Sequence, residues 1–180
     1  MKKQIIKEIK IPEGVKVELE ENIVRVIGEH GEVRKKFSFA NLNFKIKDDK
    51  ITLENKKATK KEKKRINTNA AHLKNMIKGV QEPFQYKLKI CFNHFPISIE
   101  IKDGEAIIKN FLGEKSPRKV KIPSGADIKI DKDIITVSSP DKEIAGQAAA
   151  VLERVTKIRL RDRRVFQDGI FLINKAGKEI

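Results

Sequence analysis

The sequence predicts an α+β protein made of two duplicated domains, each an antiparallel β-sheet, partly barrel-like, packed against one α-helix. Three observations predict it. FKIKDDKITL, from Phe44 to Leu53, returns as IKIDKDIITV from Ile128 to Val137, an offset of 84 residues from Ile46 to Ile130. Short alternating runs separated by polar turns precede and surround both copies, the pattern of half-buried strands. Each copy is then followed by apolar residues at spacings of four and three, the pattern of an amphipathic helix.

The offset of 84 also carries Pro12 onto Pro96, Val15 onto Ile99, Val17 onto Ile101 and Ile23-Val24 onto Ile107-Ile108. A second self-match, IPEGVKVELEENIVRV from Ile11 against IPSGADIKIDKDIITV from Ile122, has an offset of 111. Both cannot describe one duplication. The offset of 84 runs from Pro12 to Leu53 and leads into a helix in each copy, so it marks the repeat, and the other records a shared Pro-x-Gly entry into strand pairs.

In the first copy, Val15, Val17 and Leu19 alternate with Lys16 and Glu18, and Ile23 to Ile27 follow a Glu-Glu-Asn turn, predicting a hairpin. Gly28 to Glu32 turns the chain into Val33 to Phe39, and Lys47 to Lys50 separates two short strands ending at Leu53, for four or five strands in all. A helix follows within Lys57 to Lys78, with Ile66, Ala70, Leu73 and Ile77 as its apolar stripe. Gly79 is read as its stop and Pro83 as the bar to its return. The domain boundary then falls near Val80 to Phe84, giving an N-terminal repeat at 1–83 and a C-terminal repeat at 84–180.

The second copy opens with a longer strand, Gln85 to Phe92, then NHFPISIEI, a turn at Lys102 to Glu105, and strands at Ala106 to Lys109, Arg118 to Ile122, Asp127 to Ile130 and Ile134 to Val137. Ser139-Pro140-Asp141 predicts a helix start: a capping hydroxyl, Pro at the first position and an acid against the dipole. The expected stripe is Ile144, Ala148, Val151, Val155 and Ile158.

The 40 Lys and Arg against 25 Asp and Glu leave a formal charge of +15. Such a surplus suits a polyanion, because neutralising phosphates releases counterions. The start, MKKQIIKEIK, alternates and forms no signal core, no run is long enough to span a bilayer, and the single cysteine, Cys91, cannot close an internal disulfide. These features point to a cytoplasmic chain. His30, His72 and His94 lack metal-ligand spacing, and no phosphate loop or nucleophile motif occurs, so neither a metal nor a cofactor nor an enzyme activity is expected. Asp48-Asp49 is read as a solvated turn and Cys91 as a core thiol. Nine Phe, one Tyr and no Trp do not make a stacking platform, so binding should read shape and backbone of folded RNA.

Function is sought where the copies differ. Lys56 to Arg65, KKATKKEKKR, carries seven basic residues and one Glu at the start of the first helix, where cations oppose the dipole. It is either a solvated lysine segment or one that tracks phosphates. NFLGEKSPRKVKIP, Asn110 to Pro123, replaces a shorter turn and joins a stiff loop to Lys115, Arg118, Lys119 and Lys121. Thr156 to Lys178 has no counterpart after the first helix and carries Lys157, Arg159, Arg161, Arg163, Arg164 and Lys175. Its arginines suit bidentate phosphate contacts, Phe166 and Ile170 to Ile173 suit anchoring, and Asp168-Gly169 is read as its turn. The competing reading pairs Arg161 and Arg164 with Asp162, Asp168 or Glu153.

These residues resemble the family of large-subunit ribosomal protein L six, called L nine in eukaryotic naming. Asn75-Met76-Ile77-Lys78-Gly79-Val80 with Phe84-x-Tyr86-Lys87 is similar to its interdomain passage, and His94-Phe95-Pro96-Ile97 and Asn110-Phe111-Leu112-Gly113-Glu114-Lys115 to its second-domain strands and hairpin. Arg161-x-x-Arg164-x-Phe166-x-Asp168-Gly169-Ile170-Phe171 is similar to the tail signature of its archaeal and eukaryotic branch, and NFLGEKSPR and RVFQDGI look archaeal. The chain departs from the family at Phe171, Ala148 and the lysine run. The resemblance implies a structural, non-catalytic constituent of the cytoplasmic large ribosomal subunit, a monomer within it. It implies rRNA contact at the stalk base, near the sarcin-ricin loop and the elongation-factor site, with neighbouring ribosomal proteins and translation factors nearby. It also implies that the second domain is the main rRNA binder and that Lys115, Arg118, Arg161 and Arg164 help hold the RNA, with Asp168-Gly169 shaping the tail. The rival class is an RNA-modifying enzyme with a tandem RNA-binding module.

Overall fold

The computed structural model describes residues 3–39, 42–47, 50–162 and 164–180, so Asp48, Asp49 and Arg163 lie outside the described residues. The chain divides into two compact units, residues 1–83 and 84–180, each with its own apolar core. The class is α+β with duplicated antiparallel sheet domains, as the sequence predicts, and the strands of each unit are shared between two sheets.

The first unit runs β1 (Lys3–Lys10), β2 (Lys16–Glu20), β3 (Ile23–Gly28), β4 (Gly31–Lys36), β5 (Asn43–Lys47), β6 (Lys50–Ala58) and α1 (Lys60–Gln81). Its sheets are β1-β6-β5 and β2-β3-β4. Val24 and Val26 of β3 and Ile51 and Leu53 of β6 turn inward to meet Ile66, Ala70, Leu73 and Ile77 of α1, and all eight are buried. Burying each of the larger aliphatic side chains contributes roughly 1.5–3 kcal/mol.

Three expectations for this unit are corrected. The predicted four or five strands are six among the described residues, because β1 pairs along β6 with Ile9 opposite Ile51. It is an edge strand with Ile9 buried and Ile6 exposed, so only one face carries a burial signal. The lysine run is not all at the helix start: β6 continues through Lys56 to Ala58, Thr59 is the N-cap and α1 begins at Lys60. Gly79 does not stop the helix, since it is buried inside α1 and the helix ends at Gln81. Glu82 then turns extended (φ −140°, ψ 112°), as the ring of Pro83 requires of the residue before it.

The second unit runs β7 (Phe84–Cys91), β8 (Ser98–Lys102), β9 (Glu105–Lys109), β10 (Arg118–Lys121), β11 (Asp127–Asp131), β12 (Ile134–Ser139), α2 (Lys142–Val155), β13 (Gly169–Lys175) and β14 (Lys178–Glu179). Its sheets are β10-β9-β8 and β11-β12-β7-β13-β14. Strand β7 alternates without a fault: Phe84, Tyr86, Leu88 and Ile90 are buried, and the residues between them are exposed.

The repeat holds at 84 residues in the β5–β6 and β11–β12 hairpins, where Ile46 faces Ile51 and Ile130 faces Ile135. In the β2–β3 and β8–β9 hairpins it is 82. Glu21 and Asp103 share a left-handed φ of 51°, and the buried Val24 and Val26 correspond to the buried Ala106 and Ile108. Val17 therefore matches Ile99, not Ile101, and Val15 matches Ile97. The offset of 111 is the shared strand entry: Gly14 and Gly125 have φ of 82° and 89° just before β2 and β11.

The start of α2 is also corrected. Asp141 is the N-cap, accepting from the Glu143 N–H at 2.8 Å, and Pro140 stands before it. Ser139 ends β12, buried, its hydroxyl donating to the Gly125 carbonyl at 2.8 Å and accepting from the Asp141 N–H. The buried face of α2 is Ala145, Ala148, Ala149 and Leu152, rotated from the predicted stripe, of which only Ala148 is fully buried. Alanines let the helix approach the sheet closely, so the larger Ile144, Val151 and Val155 sit at its margins.

Candidate nucleic-acid interface

The loop between β9 and β10 is held stiff by its backbone. Asn110, Leu112 and Gly113 have φ of 59°, 49° and 75°, and the Phe111 between them is buried. The Asn110 amide donates to the Pro96 carbonyl at 3.0 Å. A Cβ on Gly113 would lie 3.2 Å from the Phe95 ring, so the glycine is needed both for its φ and for this close approach. The loop thereby presents Lys115 and Lys119 to solvent on either side of Arg118.

Arg118 itself is engaged inside the unit. Its Nε and Nη2 donate to the two oxygens of Glu114 at 2.8 and 2.5 Å, and its Nη1 donates to the Val155 carbonyl at 2.7 Å and the Lys157 carbonyl at 3.4 Å. The guanidinium lies 4.2 Å from the Phe111 ring centroid. The hydrogen bond from Arg118 holds the Glu114 carboxyl below its ordinary value, against a smaller effect of burial. The last carbonyls of α2 lack helical partners, and a cation there also complements the dipole. Arg118 thus joins the basic hairpin to the segment that leaves α2.

That segment carries Lys157, Arg159 and Arg161, all exposed. Leu160 between them is fully exposed at a left-handed φ of 58°, rare for a bulky side chain. Arg161 lies 4.9 Å from the Phe166 ring centroid, and Phe166 stacks on His94 at 5.1 Å and 30°. Among the described residues Arg161 forms no ion pair with Asp162, Asp168 or Glu153. Arg164 does approach Asp162, at 3.6 Å, but its side chain is 93% exposed, so the pair contributes little.

Asp168 is not in a turn. It is 1% exposed and accepts from the backbone N–H of Asn93 and His94 at 3.2 and 3.3 Å and from His94 Nδ1 at 3.0 Å. Burial is the largest influence on its carboxyl and pushes it up. The hydrogen bonds from the His94 ring and the two N–H groups together outweigh it and hold the carboxyl below its ordinary value. Gly169 is the first residue of β13, opposite Cys91. A Cβ there would meet the Phe171 ring at 3.2 Å, and the next N–H, of Ile170, donates to Thr156 Oγ1 at 2.9 Å. The turn of the tail is Ala176-Gly177, with φ of 52° and 89°.

Lys175 stands apart from the other predicted cations. It pairs with Tyr86 and Lys178 at the far end of β13, six residues from Gly169 and so about 20 Å away at ~3.3 Å per residue. In the first unit Lys60, Lys61, Lys63 and Lys64 are exposed at the start of α1 and make no ion pair among the described residues. Glu62 there completes a capping box with Thr59, whose side-chain hydrogen bond is the main reason its carboxyl is held low.

Sequence reasoning missed the pairing of His94 with Asp168 and a groove of about 800 Å³ beside it, into which the half-buried Cys91 faces. No sequence signal could find either, because the partners lie 74 residues apart. Among the described residues no group of three His, Cys, Asp or Glu is placed to hold a metal ion, and no helix is long and apolar enough to cross a membrane.

The family described as Ribosomal protein L6 matches this chain over residues 11–83 and 95–169. The chain is 46% identical to the large ribosomal subunit protein uL6 of Nanoarchaeum equitans, over 100% of this chain and 98% of that protein. It is 43% identical to the protein of the same name from Methanobrevibacter smithii, over 95% and 96%, and 40% identical to that of Methanococcus vannielii, over 97% and 96%.

Proposed function

Because the chain belongs to the ribosomal protein L6 family, we propose that it is a structural constituent of the large ribosomal subunit that holds large-subunit rRNA at the base of the stalk, near the sarcin-ricin loop and the elongation-factor site. The observation that carries this reading is the Arg118 strut, which sets the basic hairpin beside the basic segment after α2. Lys115, Lys119, Lys157, Arg159 and Arg161 then project from two fixed backbones of one unit and bridge phosphates of separate RNA strands, with Arg164 further along the tail. Phosphate contact of this kind positions RNA and releases counterions. Arg118 acts by positioning. The role is structural, as a monomer among neighbouring ribosomal proteins with translation factors nearby, and residues 84–180 supply most of the binding.

The test is the salt dependence of binding to large-subunit rRNA by the full chain. R159E/R161E weakens binding and reduces the log-log slope by about 0.7–0.9 for each phosphate that is no longer neutralised. K175E leaves the slope nearly unchanged. An unchanged slope in the double variant, or failure of the chain to sediment with large subunits, overturns the assignment.

A further inference from the structure

The groove of the second unit lies where the end of β7, the last turns of α2 and the start of β13 converge. Phe92 and Phe171 on its walls are 42% and 43% exposed, two large aromatic surfaces left uncovered in the lining. Asn93 and Glu153 also line it with exposed polar side chains. Arg154 and Lys157 put two exposed cations on the same lining. Beneath, the frame is set: Asp168 is held by three hydrogen bonds, Thr156 Oγ1 receives the Ile170 N–H, and Phe166 stacks on His94.

We propose that this groove takes one unpaired base of the bound RNA, stacked on the Phe92 and Phe171 rings, its edge toward Asn93 and Glu153 and its phosphate against Arg154 and Lys157. The inference deepens the rRNA-binding reading and rests on it. A volume of about 800 Å³ lies within the ~300–1,000 Å³ of small-ligand sites and admits a single nucleotide, whereas a paired base is hidden in its helix. The cations decide between occupants. An apolar side chain of a protein would gain nothing from Arg154 and Lys157, while a nucleotide needs a flat apolar face, edge donors and acceptors, and a cation for its phosphate.

Cys91 is the only cysteine and lines the groove, so its alkylation by iodoacetamide reports occupancy in the unaltered full chain. The rate is measured for the free chain and with large-subunit rRNA, a blunt fully paired RNA duplex, or heparin. Slow alkylation with rRNA, and the free rate with bound duplex or heparin, is the expected result. Phe92→Ala and Phe171→Ala each lose about tenfold in rRNA affinity and nothing for the duplex, the usual scale for one base on one ring. Equal protection by heparin or duplex overturns the proposal, as does protection that requires another ribosomal protein. Bound rRNA with Cys91 at its free rate overturns the groove and leaves the rRNA-binding role standing, whereas absence of rRNA binding removes both.

Discussion

Arg118 Nη1 donates to the carbonyl of Val155 at 2.7 Å, joining the hairpin after β9 to the last turn of α2 across 37 residues. The same side chain holds Glu114 through two further bonds and lies on Phe111, so one guanidinium fixes three elements. Arg118→Lys keeps the charge and loses the fork. Thermal unfolding of that variant should show a loss of about 1.5–3 kcal/mol, the scale of a hydrogen bond to a charged group. Hydrogen exchange should quicken at 157–161 before it does in β7. Unchanged exchange there would show that the strut does not position the basic segment.

Asp168→Asn should destabilise the second unit by ~3 kcal/mol, because the His94 ring and two N–H groups lose an ionised acceptor in a buried site. The folded carboxyl titrates below its ordinary 3.8, so its contribution is complete above that value and is lost as pH falls through the folded one. Acid unfolding of the Asn variant should therefore be less steep below pH 3.8, as read by circular dichroism.

In the first unit, Glu32 takes hydrogen bonds from Arg25, at 2.6 Å, and from Arg34, and these hold its carboxyl at about 2, the bond from Arg25 having the largest effect. Its stabilising effect is present above 4.5 and fades as pH falls toward 2. Carboxyl carbon shifts followed by NMR should place its midpoint near 2, and Arg25→Gln should raise it. A midpoint near 4.5 in the unaltered chain would show that the cluster does not persist in solution.

Gly28→Ala should cost about 1–3 kcal/mol, since the added Cβ would stand 2.8 Å from Val80 Cγ2 and 3.0 Å from the Val80 carbonyl oxygen. That carbonyl already accepts from the His30 N–H at 3.0 Å, so the backbone has little room to withdraw. Adding Val80→Ala should recover part of the loss in a double-mutant cycle. Simple additivity would place the strain elsewhere.

The fold was legible where one face of an element is buried by large side chains. Ile66, Ala70, Leu73 and Ile77 announce α1, and the alternation of β7 announces its four buried residues. The register of α2 was not legible, because its buried face is three alanines and one leucine and carries less contrast than the isoleucine and valines at its margins. The start MKKQIIKEIK alternates as a strand does, but its pairing with β6 and the reach of β6 into the lysine run were not legible, since pairing with a partner strand leaves no mark on local composition.

For the candidate site, charge and position along the chain were visible and function within the fold was not. Lys115, Arg159 and Arg161 stand exposed as basic residues in unshared segments suggest, while Arg118, indistinguishable from them in sequence, is turned inward by two carbonyls and a carboxylate.

The sequence by itself determined the duplication, the α+β class, the basic surplus and the family, because repeats, periodicity and charge are local properties of the chain. Only the tertiary structure decided that Arg118 is a strut, that Asp168 is a buried anchor for His94, that Lys175 stands at the far end of its strand, and that a groove opens beside Cys91. Each depends on partners many residues distant, and the hydrogen bonds and close packing that choose them exist only once the chain has closed.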